Sequence, residues 1–358
     1  MITRQEIEKR FLLQDEFMGT NKPVNNINPL VSVSVVTYQH VKYIKQCLDS
    51  ILQQDVSFQY EIVLSDDGSD DGTTEICKDY AAKYSDRIRL FIRDREITHI
   101  RNEYEKDVIL AVSFQVMHCR GKYYAVCNGD DYWNDKNKLQ KQINFLEKNP
   151  DYGMVYSQYK RESVLGEAVS YPFTPSFSGN IFNYLLLLNF IGALTVVART
   201  DLFKKASMAL DLPNKRWILG DYPIWLEIAS KSKIGLIKEY NAVYRVSNNS
   251  AGNFNSLASE LKFLLSVFDI VYYFLNKHNC SVFFKNLIWL SHSLRLVLIV
   301  SKYKIDRQVI KKNMEIIESQ THPIVPSSLR KIYYYLLVFV FSMKKRKFKF
   351  AFTNKISE

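Results

Sequence analysis

The chain of 358 residues is poor in cysteine and glycine and has no long apolar run. Its five cysteines include no C-x-x-C pair, so we expect neither a zinc ribbon nor a disulfide scaffold, and the odd number fits reduced thiols. No uninterrupted apolar stretch reaches the roughly 20 residues that a membrane-spanning helix needs. The first residues lack an apolar core of signal-peptide length. We therefore expect a cytoplasmic protein, either free or peripheral to the inner face of a membrane.

Glycine-rich phosphate loops are also missing from the sequence. The first predicted strand runs directly into TYQHVKYI, so no G-x-G-x-x-G fingerprint follows it, and no G-x-x-x-x-G-K-[ST] loop occurs. A hydride-transferring dehydrogenase is therefore disfavoured, and so is a nucleotidyltransferase, which needs a glycine-rich and basic loop at this point. If the chain binds a diphosphate, a metal ion is the natural replacement for such a loop.

Positive charge is concentrated near the end of the chain. Residues 1–250 hold 31 basic and 31 acidic side chains, whereas residues 251–358 hold 17 and 6, which accounts for the whole formal charge of +11. The basic run Lys344–Lys349 follows the apolar run Ile332–Met343, a combination that fits a helix lying on an anionic membrane surface. A helical cap or an oligomer interface explains it equally well, and the oligomeric state stays open. Nucleic-acid binding is not expected, because the basic residues form no recognised module.

Strands and helices alternate over the first 150 residues. Val31–Thr37 and Tyr60–Leu64 are rich in β-branched and apolar residues and are predicted as buried strands, and Val41–Gln54 has apolar residues at helical spacing. Further strands are predicted at Ile88–Ile92 and Lys122–Cys127. This alternation predicts an α/β fold with a Rossmann-like, mostly parallel mixed sheet flanked by helices.

Three regions are predicted along the chain. They are an N-terminal helix and connector over residues 1–30, an α/β domain over 31–255 with halves at 31–150 and 151–255, and a basic, helical C-terminal region over 256–358. Within the α/β domain, short strands are expected at 154–157, 194–198 and 240–246, and helices at 107–119, 182–189 and 221–230.

Two pairs of carboxylates fall at the carboxyl ends of predicted strands. Asp66 and Asp67 follow the second strand, and Asp130 and Asp131 follow the strand that ends at Cys127. Ligands of parallel α/β sheets bind at this edge. Adjacent acids repel each other in a dry site unless a divalent cation neutralises them, and Mg²⁺ or Mn²⁺ suits such oxygen ligands. Solvated turns and helix capping are the alternative interpretations.

Four segments together carry a resemblance to a known family. They are VSVSVVTYQH, EIVLSDDGSDDGT, GKYYAVCNGDDYW and GDYPIWLEIA. In this order and spacing they resemble the family-2 glycosyltransferases with a GT-A fold, in the branch with a GDDYW segment that serves bacterial polysaccharide or lipopolysaccharide assembly. The resemblance covers roughly residues 30–250 and makes the two halves of the α/β domain a nucleotide-binding half and an acceptor half.

The resemblance implies an inverting, metal-assisted transfer of a sugar from a UDP- or GDP-linked donor to a hydroxyl of a glycan or lipid-linked acceptor. It implies Mg²⁺ or Mn²⁺ as the cofactor. The roles that it assigns are nucleotide-sugar binding by Thr37, Tyr38, Asp66, Asp67 and Asp130, metal binding by Asp131 together with Asp130, and removal of the acceptor proton by Asp221.

The sequence departs from the family pattern in four places. Asn128 stands where an acid run usually begins, Gln39 replaces a common Asn, Gly220 stands before Asp221 where an acid is frequent, and Ser247 follows Tyr244-Arg245-Val246 where a His often occurs. A nucleotide-sugar-binding pseudoenzyme or scaffold of a polysaccharide assembly complex therefore stays open. Arg245 is interpreted as either phosphate-binding or structural, and Trp133 as either a sugar-stacking residue or a buried anchor.

Overall fold

A computed structural model describes residues 3–13, 15–17, 27–101, 107–109, 111–169, 175–212, 215, 217–246 and 256–302. Contacts divide the chain into two compact units. The first comprises Met1–Arg216 and Gly220–Ser250, and the second comprises Trp217–Leu219 and Ala251–Glu358.

The first unit alternates strands with helices along most of its length. The elements before residue 150 are α1 (Arg4–Leu12), β1 (Asp15–Phe17), β2 (Val31–Thr37), α2 (Ile44–Leu52), β3 (Tyr60–Asp66), α3 (Thr73–Lys83), β4 (Ile88–Ile92), α4 (Arg95–Thr98), β5 (His99–Arg101), β6 (Asp107–Ile109), α5 (Ala111–His118), β7 (Tyr123–Val126), β8 (Tyr132–Trp133) and α6 (Lys138–Lys148). Those that follow are β9 (Tyr152–Ser163), α7 (Phe182–Leu187), a 3-10 helix (Ala193–Thr195), β10 (Val197–Arg199), α8 (Thr200–Ala209), α9 (Asp221–Ala229) and β11 (Lys233–Val246).

A mixed sheet of nine strands organises this unit, in the order β1-β4-β3-β2-β7-β10-β9-β11-β8. The neighbours β4, β3, β2 and β7 are parallel, and β9 and β11 are parallel to each other. The strands β1, β10 and β8 run antiparallel to their partners. The predicted fold class, a mostly parallel mixed sheet flanked by helices, is confirmed.

Apolar side chains on both faces of the central strands explain why helices cover the sheet on both sides. In β2 and β3 all residues except Val36 are buried. Helix α2 buries Ile44, Cys47, Leu48 and Ile51, which recur at helical spacing and form one face of the helix. Both strands are therefore buried on both faces, although Ser32, Ser34 and Glu61 interrupt their apolar residues.

Two strands of the second half are longer than the sequence predicted. The short strands expected at 154–157 and 240–246 are parts of β9, with 12 residues, and β11, with 14. The two pair in parallel over almost their whole length, with register shifts between Ile237 and Ala242. Their outer residues are half-buried or exposed and polar, so they lack the apolar pattern by which a strand is recognised.

Two predicted boundaries were wrong for local reasons. The helix expected at 107–119 begins only at Ala111, because Asp107–Ile109 pairs with His99–Arg101 as a two-stranded ribbon. The strand expected at 194–198 is a 3-10 helix followed by β10, which starts at Val197. Short apolar runs do not separate helix from strand by periodicity alone.

The second unit contains two long helices, α10 (Leu257–Lys277) and α11 (Val282–Lys302). The hydroxyl of Ser256 accepts the amide of Ser259 and caps α10. The helices pack through aromatic rings, with the Phe268 and Trp289 centroids 6.1 Å apart. In the part of the chain that the structure describes, no helix combines the length and apolarity needed to cross a bilayer. The apolar and basic runs predicted to bind a membrane lie outside the described residues.

One residue in the interior of the first unit is a lysine. Lys138, on α6, has no exposed surface, and its Nζ donates to Oε1 of Gln142 at 2.6 Å and lies 4.2 Å from the ring centroid of Trp133. Burial lowers the pKa of Lys138 to about 7, against the opposing influence of Cys127 and Asp135. The folded protein therefore releases this proton near neutrality, whereas a lysine in the unfolded chain keeps it to about pH 10.

We expect the wild-type protein to gain stability relative to Lys138→Met as the pH rises from about 7 to about 9. In this window the unfolded wild type binds more protons than the folded state, so its free energy of unfolding rises by up to about 1.4 kcal/mol per pH unit. Denaturant midpoints of both proteins at intervals from pH 6 to pH 9 measure the difference. A difference that stays constant over the whole range would contradict a titrating buried lysine.

Candidate active site

The carboxyl ends of three neighbouring strands bring both carboxylate pairs to one edge of the sheet. Thr37 at the end of β2 lies in register with Asp66 of β3, and the amide of Asp67 donates to the Thr37 carbonyl at 2.9 Å. On the other side, the amide of Gly129, beyond β7, donates to the Val36 carbonyl at 2.9 Å. A Cβ at Gly129 would lie 2.5 Å from Oγ1 of Thr37, so only glycine allows this approach. The segment Asn128–Trp133 is called the carboxylate loop below.

The first acid of the β3 pair is occupied by its own loop. The buried carboxylate of Asp66 accepts the Ser69 hydroxyl at 2.5 Å and the hydroxyl of Thr74 at the start of α3. Asp71 accepts the amide and the hydroxyl of Thr73 and so caps the same helix. These bonds shape the turn after β3, and direct contact of Asp66 with a nucleotide stays a prediction.

The same turn also fixes the residues that follow β2. The amides of Gln39, His40 and Val41 donate to side chains of the turn, namely those of Ser69, Thr73 and Asp71. Gln39 has a φ of 57°, a left-handed conformation that is unusual for a residue other than glycine. The two loops therefore form one unit, which presents Tyr38 with 38% of its surface exposed.

Asp67 and Tyr38 are each in contact with a cationic side chain from the segment after β4. Nε2 of His99 lies 2.9 Å from Oδ2 of the buried Asp67, and the Arg95 guanidinium lies 3.5 Å from the same oxygen. The Arg95 guanidinium also lies 4.0 Å from the ring centroid of Tyr38. Sequence reasoning missed Arg95 and His99, because they follow a third strand and no motif marks them.

Asp131 is a buried carboxylate at the centre of the carboxylate loop. Its amide donates to the Asn128 carbonyl, and its Oδ1 accepts the amide of Arg245 at 3.0 Å. Only 2% of Asp131 is exposed. Burial, and then the neighbouring charge of Asp130, raises the pKa of Asp131 well above its usual range. The site is therefore electrostatically poised to take up positive charge.

Arg245, on β11, holds the carboxylate loop from the opposite side of the sheet. Its guanidinium donates to the Asp130 carbonyl at 2.7 Å and to the side chain of Gln46. The guanidinium also lies between two aromatic rings, 4.9 Å from the centroid of Tyr43 and 4.8 Å from that of Tyr132. These contacts favour the structural interpretation of Arg245. Trp133 is likewise buried, and its Nε1 donates to the Leu194 carbonyl at 2.9 Å, as a buried anchor would.

The donor set of the carboxylate loop fits a divalent cation that is completed by a ligand. Within the described ranges, no group of three or more His, Cys, Asp or Glu side chains could hold a metal ion. Mg²⁺ and Mn²⁺ can nevertheless be bound through one or two carboxylates, with water and substrate phosphates completing the coordination. Asp131, with Asp130 beside it, could supply this number of ligands, and burial together with the charge of Asp130 raises the pKa of Asp131, which a bound cation would lower.

Asp221, the predicted base, is the first residue of α9. Its Oδ1 accepts the amide of Tyr222 at 2.7 Å, and the rest of the helix is buried. Burial raises the pKa of Asp221 above its ordinary value, which increases the basicity of the carboxylate. Burial raises the pKa of the Tyr159 hydroxyl on β9, and the charges of Asp131 and Asp221 contribute to that shift. Both acids therefore lie within electrostatic reach of one tyrosine.

The fold and these strand-end carboxylates are accompanied by a match to a known sequence family. The sequence model of the family described as Glycosyl transferase family 2 matches residues 32–203, which run from β2 into α8. Residues 32–203 therefore form a glycosyl transferase family 2 domain.

Two relatives illustrate how far the likeness extends. Rv1520 of Mycobacterium tuberculosis is 31% identical over 219 residues, which are 60% of this chain and 58% of that protein. The protein named uncharacterized glycosyltransferase MJ1057, of Methanocaldococcus jannaschii, is 28% identical over 269 residues, or 73% of this chain and 87% of the relative. The chain thus spans less than two thirds of the length of Rv1520.

Two solved structures share the fold. TarS 1-349 of S. aureus in complex with UDP-GlcNAc has a TM-score of 0.58 at 15% identity, covering 86% of each chain. Mannosyltransferase PcManGT from Pyrobaculum calidifontis in complex with GDP-Man and Mn²⁺ has a TM-score of 0.50 at 16% identity, covering 92% of this chain and 90% of the other. The predicted GT-A fold is confirmed by this likeness.

We expect Asp131→Asn to raise the free energy of unfolding at pH 7 by about 1–2 kcal/mol in metal-free buffer. Because burial raises the pKa of Asp131 in the folded state, the wild type loses stability as the pH rises from the unfolded value of about 3.9 through the raised one. Asparagine keeps an acceptor for the Arg245 amide but carries no charge. Chemical denaturation with a chelator present measures the gain.

Asp79→Asn, at an exposed carboxylate on α3, is the matched control and should change stability little. Equal stability of Asp131→Asn and wild type, or an equal gain in the control, would contradict the electrostatic cost assigned to Asp131.

Proposed function

We propose that this protein transfers a sugar from a nucleoside-diphosphate sugar to a hydroxyl of a glycan or lipid-linked acceptor, with inversion at the anomeric carbon. The observation that carries the proposal is the placement of three acids in one unit. Asp67 and Asp131 flank the end of β2, and Asp221 is the first residue of α9 in the same unit. A nucleotide site, a diphosphate site and a base are the parts that this reaction needs.

The nucleotide is assigned to the two loops beside β2. Tyr38 offers a partly exposed ring for the base, and Asp67 offers a carboxylate that can accept an N–H of uracil or guanine. Thr37 and Asp66 hold these loops in register and complete the nucleotide-sugar site. One structural neighbour is in complex with UDP-GlcNAc and the other with GDP-Man, which supports a UDP- or GDP-linked donor.

The diphosphate is assigned to the carboxylate loop, where Asp131 and Asp130 would hold Mg²⁺ or Mn²⁺. The Mn²⁺ in the complex of the mannosyltransferase neighbour supports this assignment. A divalent cation bound there supplies Lewis-acid stabilisation of the charge that grows on the leaving phosphate oxygen. Arg245 fixes the backbone on which both carboxylates stand.

The acceptor proton is assigned to Asp221. A carboxylate with a raised pKa is a stronger base, so it takes a proton from an attacking hydroxyl more readily. A single base, with no side chain acting as a nucleophile, leads to one displacement at the anomeric carbon. The configuration of that carbon is therefore inverted. The cellular role that we propose is surface polysaccharide or lipopolysaccharide synthesis on the cytoplasmic side of the membrane, where lipid-linked acceptors are presented.

A second candidate function is nucleotide-sugar binding without turnover, as a scaffold of a polysaccharide assembly complex. The observation that favours it is Asn128, an amide where the family commonly places the first acid of the carboxylate loop. The two functions share donor binding and differ in catalysis, so they are separated by measuring both.

We expect metal-dependent binding of UDP or GDP that Asp131→Ala abolishes. Without this carboxylate the cation is not retained, and the diphosphate loses its countercharge. Calorimetry with a panel of nucleoside diphosphates, with and without Mn²⁺, measures the binding and identifies the base. A folded wild type that binds none of the diphosphates would overturn the transferase proposal and the scaffold proposal together.

We expect Asp221→Asn to lower kcat by about 10²–10⁴-fold while the dissociation constant of the nucleoside diphosphate stays unchanged. Because burial raises the pKa of Asp221, wild-type kcat should rise with pH through an apparent pKa above the ordinary carboxyl value, and the variant should lack this limb. Asp201→Asn, an exposed acid on α8, is the control. A wild type that binds donor but shows no turnover would favour the scaffold; an active Asp221→Asn would remove this residue as the base.

A further inference from the structure

Two consecutive backbone carbonyls on the acceptor half accept hydrogen bonds from buried side chains. Nε1 of Trp133, the last residue of the carboxylate loop, donates to the Leu194 carbonyl at 2.9 Å. Nε2 of Gln142, on α6, donates to the Thr195 carbonyl at 2.7 Å. The 3-10 helix is thereby held at two adjacent points, one of them on the loop that carries Asp131.

The ammonium of Lys138 joins these two donors to each other. It donates to Oε1 of Gln142 at 2.6 Å and lies over the indole of Trp133, 4.2 Å from its centroid. Because Oε1 of Gln142 accepts from the lysine, the amide NH₂ must point the other way, toward Thr195. The Lys138 amine, packed over the indole, also restricts rotation of the Trp133 ring. Trp133, Lys138, Gln142 and the 3-10 helix thus form a closed ring of contacts.

The held turn supports the tyrosine that lies within reach of both catalytic-site acids. The amide and the hydroxyl of Thr195 both donate to the Gly192 carbonyl, at 3.0 and 2.6 Å. Gly192 packs against the ring of Tyr159, since a Cβ added there would lie 2.9 Å from Cε1. The charges of Asp131 and Asp221 both reach Tyr159. A shift of the Gly192–Thr195 turn would therefore displace the Tyr159 ring of β9.

We propose that Lys138 is a positioning residue that clamps the Gly192–Thr195 turn to the carboxylate loop and so fixes the acceptor half of the site against the donor half. The inference rests on the proposed function and adds a residue to it. A buried apolar side chain of similar length would fill the same space without the cost of desolvating a charge. The ring of directed contacts, which an apolar side chain could not make, is what the lysine adds.

The clamp is tested first by a measurement that does not depend on enzymatic activity. Hydrogen exchange is measured on the full chain for wild type, Lys138→Met and Gln142→Met. Exchange at the amides of Thr195 and Val196, which donate within the turn, should quicken by about 10-fold in both variants. Lys141→Met is the matched control, because this lysine is on the same helix but pairs at the surface with Asp135 and Glu239. Unchanged exchange in Lys138→Met, or equal change in the control, overturns the proposal.

The functional half of the test separates turnover from donor binding. In Lys138→Met we expect kcat to fall about 10-fold, while the dissociation constant of the Mn²⁺–nucleoside diphosphate complex stays within about threefold. Binding is spared because the Arg245 amide holds Asp131 independently of Trp133. Faster exchange with wild-type kcat overturns the positioning role. A wild type without nucleotide binding would instead refute the proposed function, and the exchange result would still decide whether the clamp exists.

Discussion

Concentration of negative charge at one edge of the sheet is the constraint on which the site depends. The two carboxylate pairs arrive on strands that flank β2, and Asp131 is almost fully buried where it arrives. The negative charge of these acids is compensated mainly by directed hydrogen bonds. Asp66 accepts hydrogen bonds from hydroxyls of its own turn, Asp67 contacts His99 and Arg95, and Asp131 accepts a hydrogen bond from the backbone amide of Arg245. Burial raises the pKa of Asp131 well above its usual range, so this acid is the one best placed to bind a cation.

Much of the α/β domain before residue 150 could be predicted from the sequence, because its strands are buried on both faces. The apolar and β-branched residues of β2, β3 and β4 identify them, and the acids that follow β3 and β7 then fall at the same sheet edge by topology alone. The capping role expected within the DDGSDDG turn is filled by Asp71. Roles of Asp67, Asp130, Asp131 and Asp221 toward substrates remain predictions that the geometry supports.

The strands after residue 150 and several tertiary contacts were predicted less well, and the reasons are physical. β9 and β11 carry polar residues over long stretches that nonetheless pair with each other, so local pattern does not reveal their length. His99 and Arg95 reach Asp67 from the segment after β4, and Lys138 reaches Trp133 from within a helix whose sequence looks amphipathic and ordinary. Contacts of this kind depend on tertiary packing, and single-sequence reasoning has no signal for them. Neither the contact of Lys138 with Trp133 nor the contacts of His99 and Arg95 with Asp67 could be found before the fold was known.

The grip of Arg245 on the carboxylate loop has a consequence for biosynthesis. The amide that binds Asp131 lies 114 residues further along the chain, and the side chain that Arg245 binds on α2 lies 199 residues before it. During synthesis from the N-terminus, strands β2, β3 and β7 emerge and can pair long before β11 exists. Until β11 joins the sheet, the carboxylate loop has no partner for its buried acid. A nascent or truncated chain can therefore pair β2, β3 and β7 while the carboxylate loop still lacks its contacts with Arg245, so this edge of the sheet is completed only when β11 is in place.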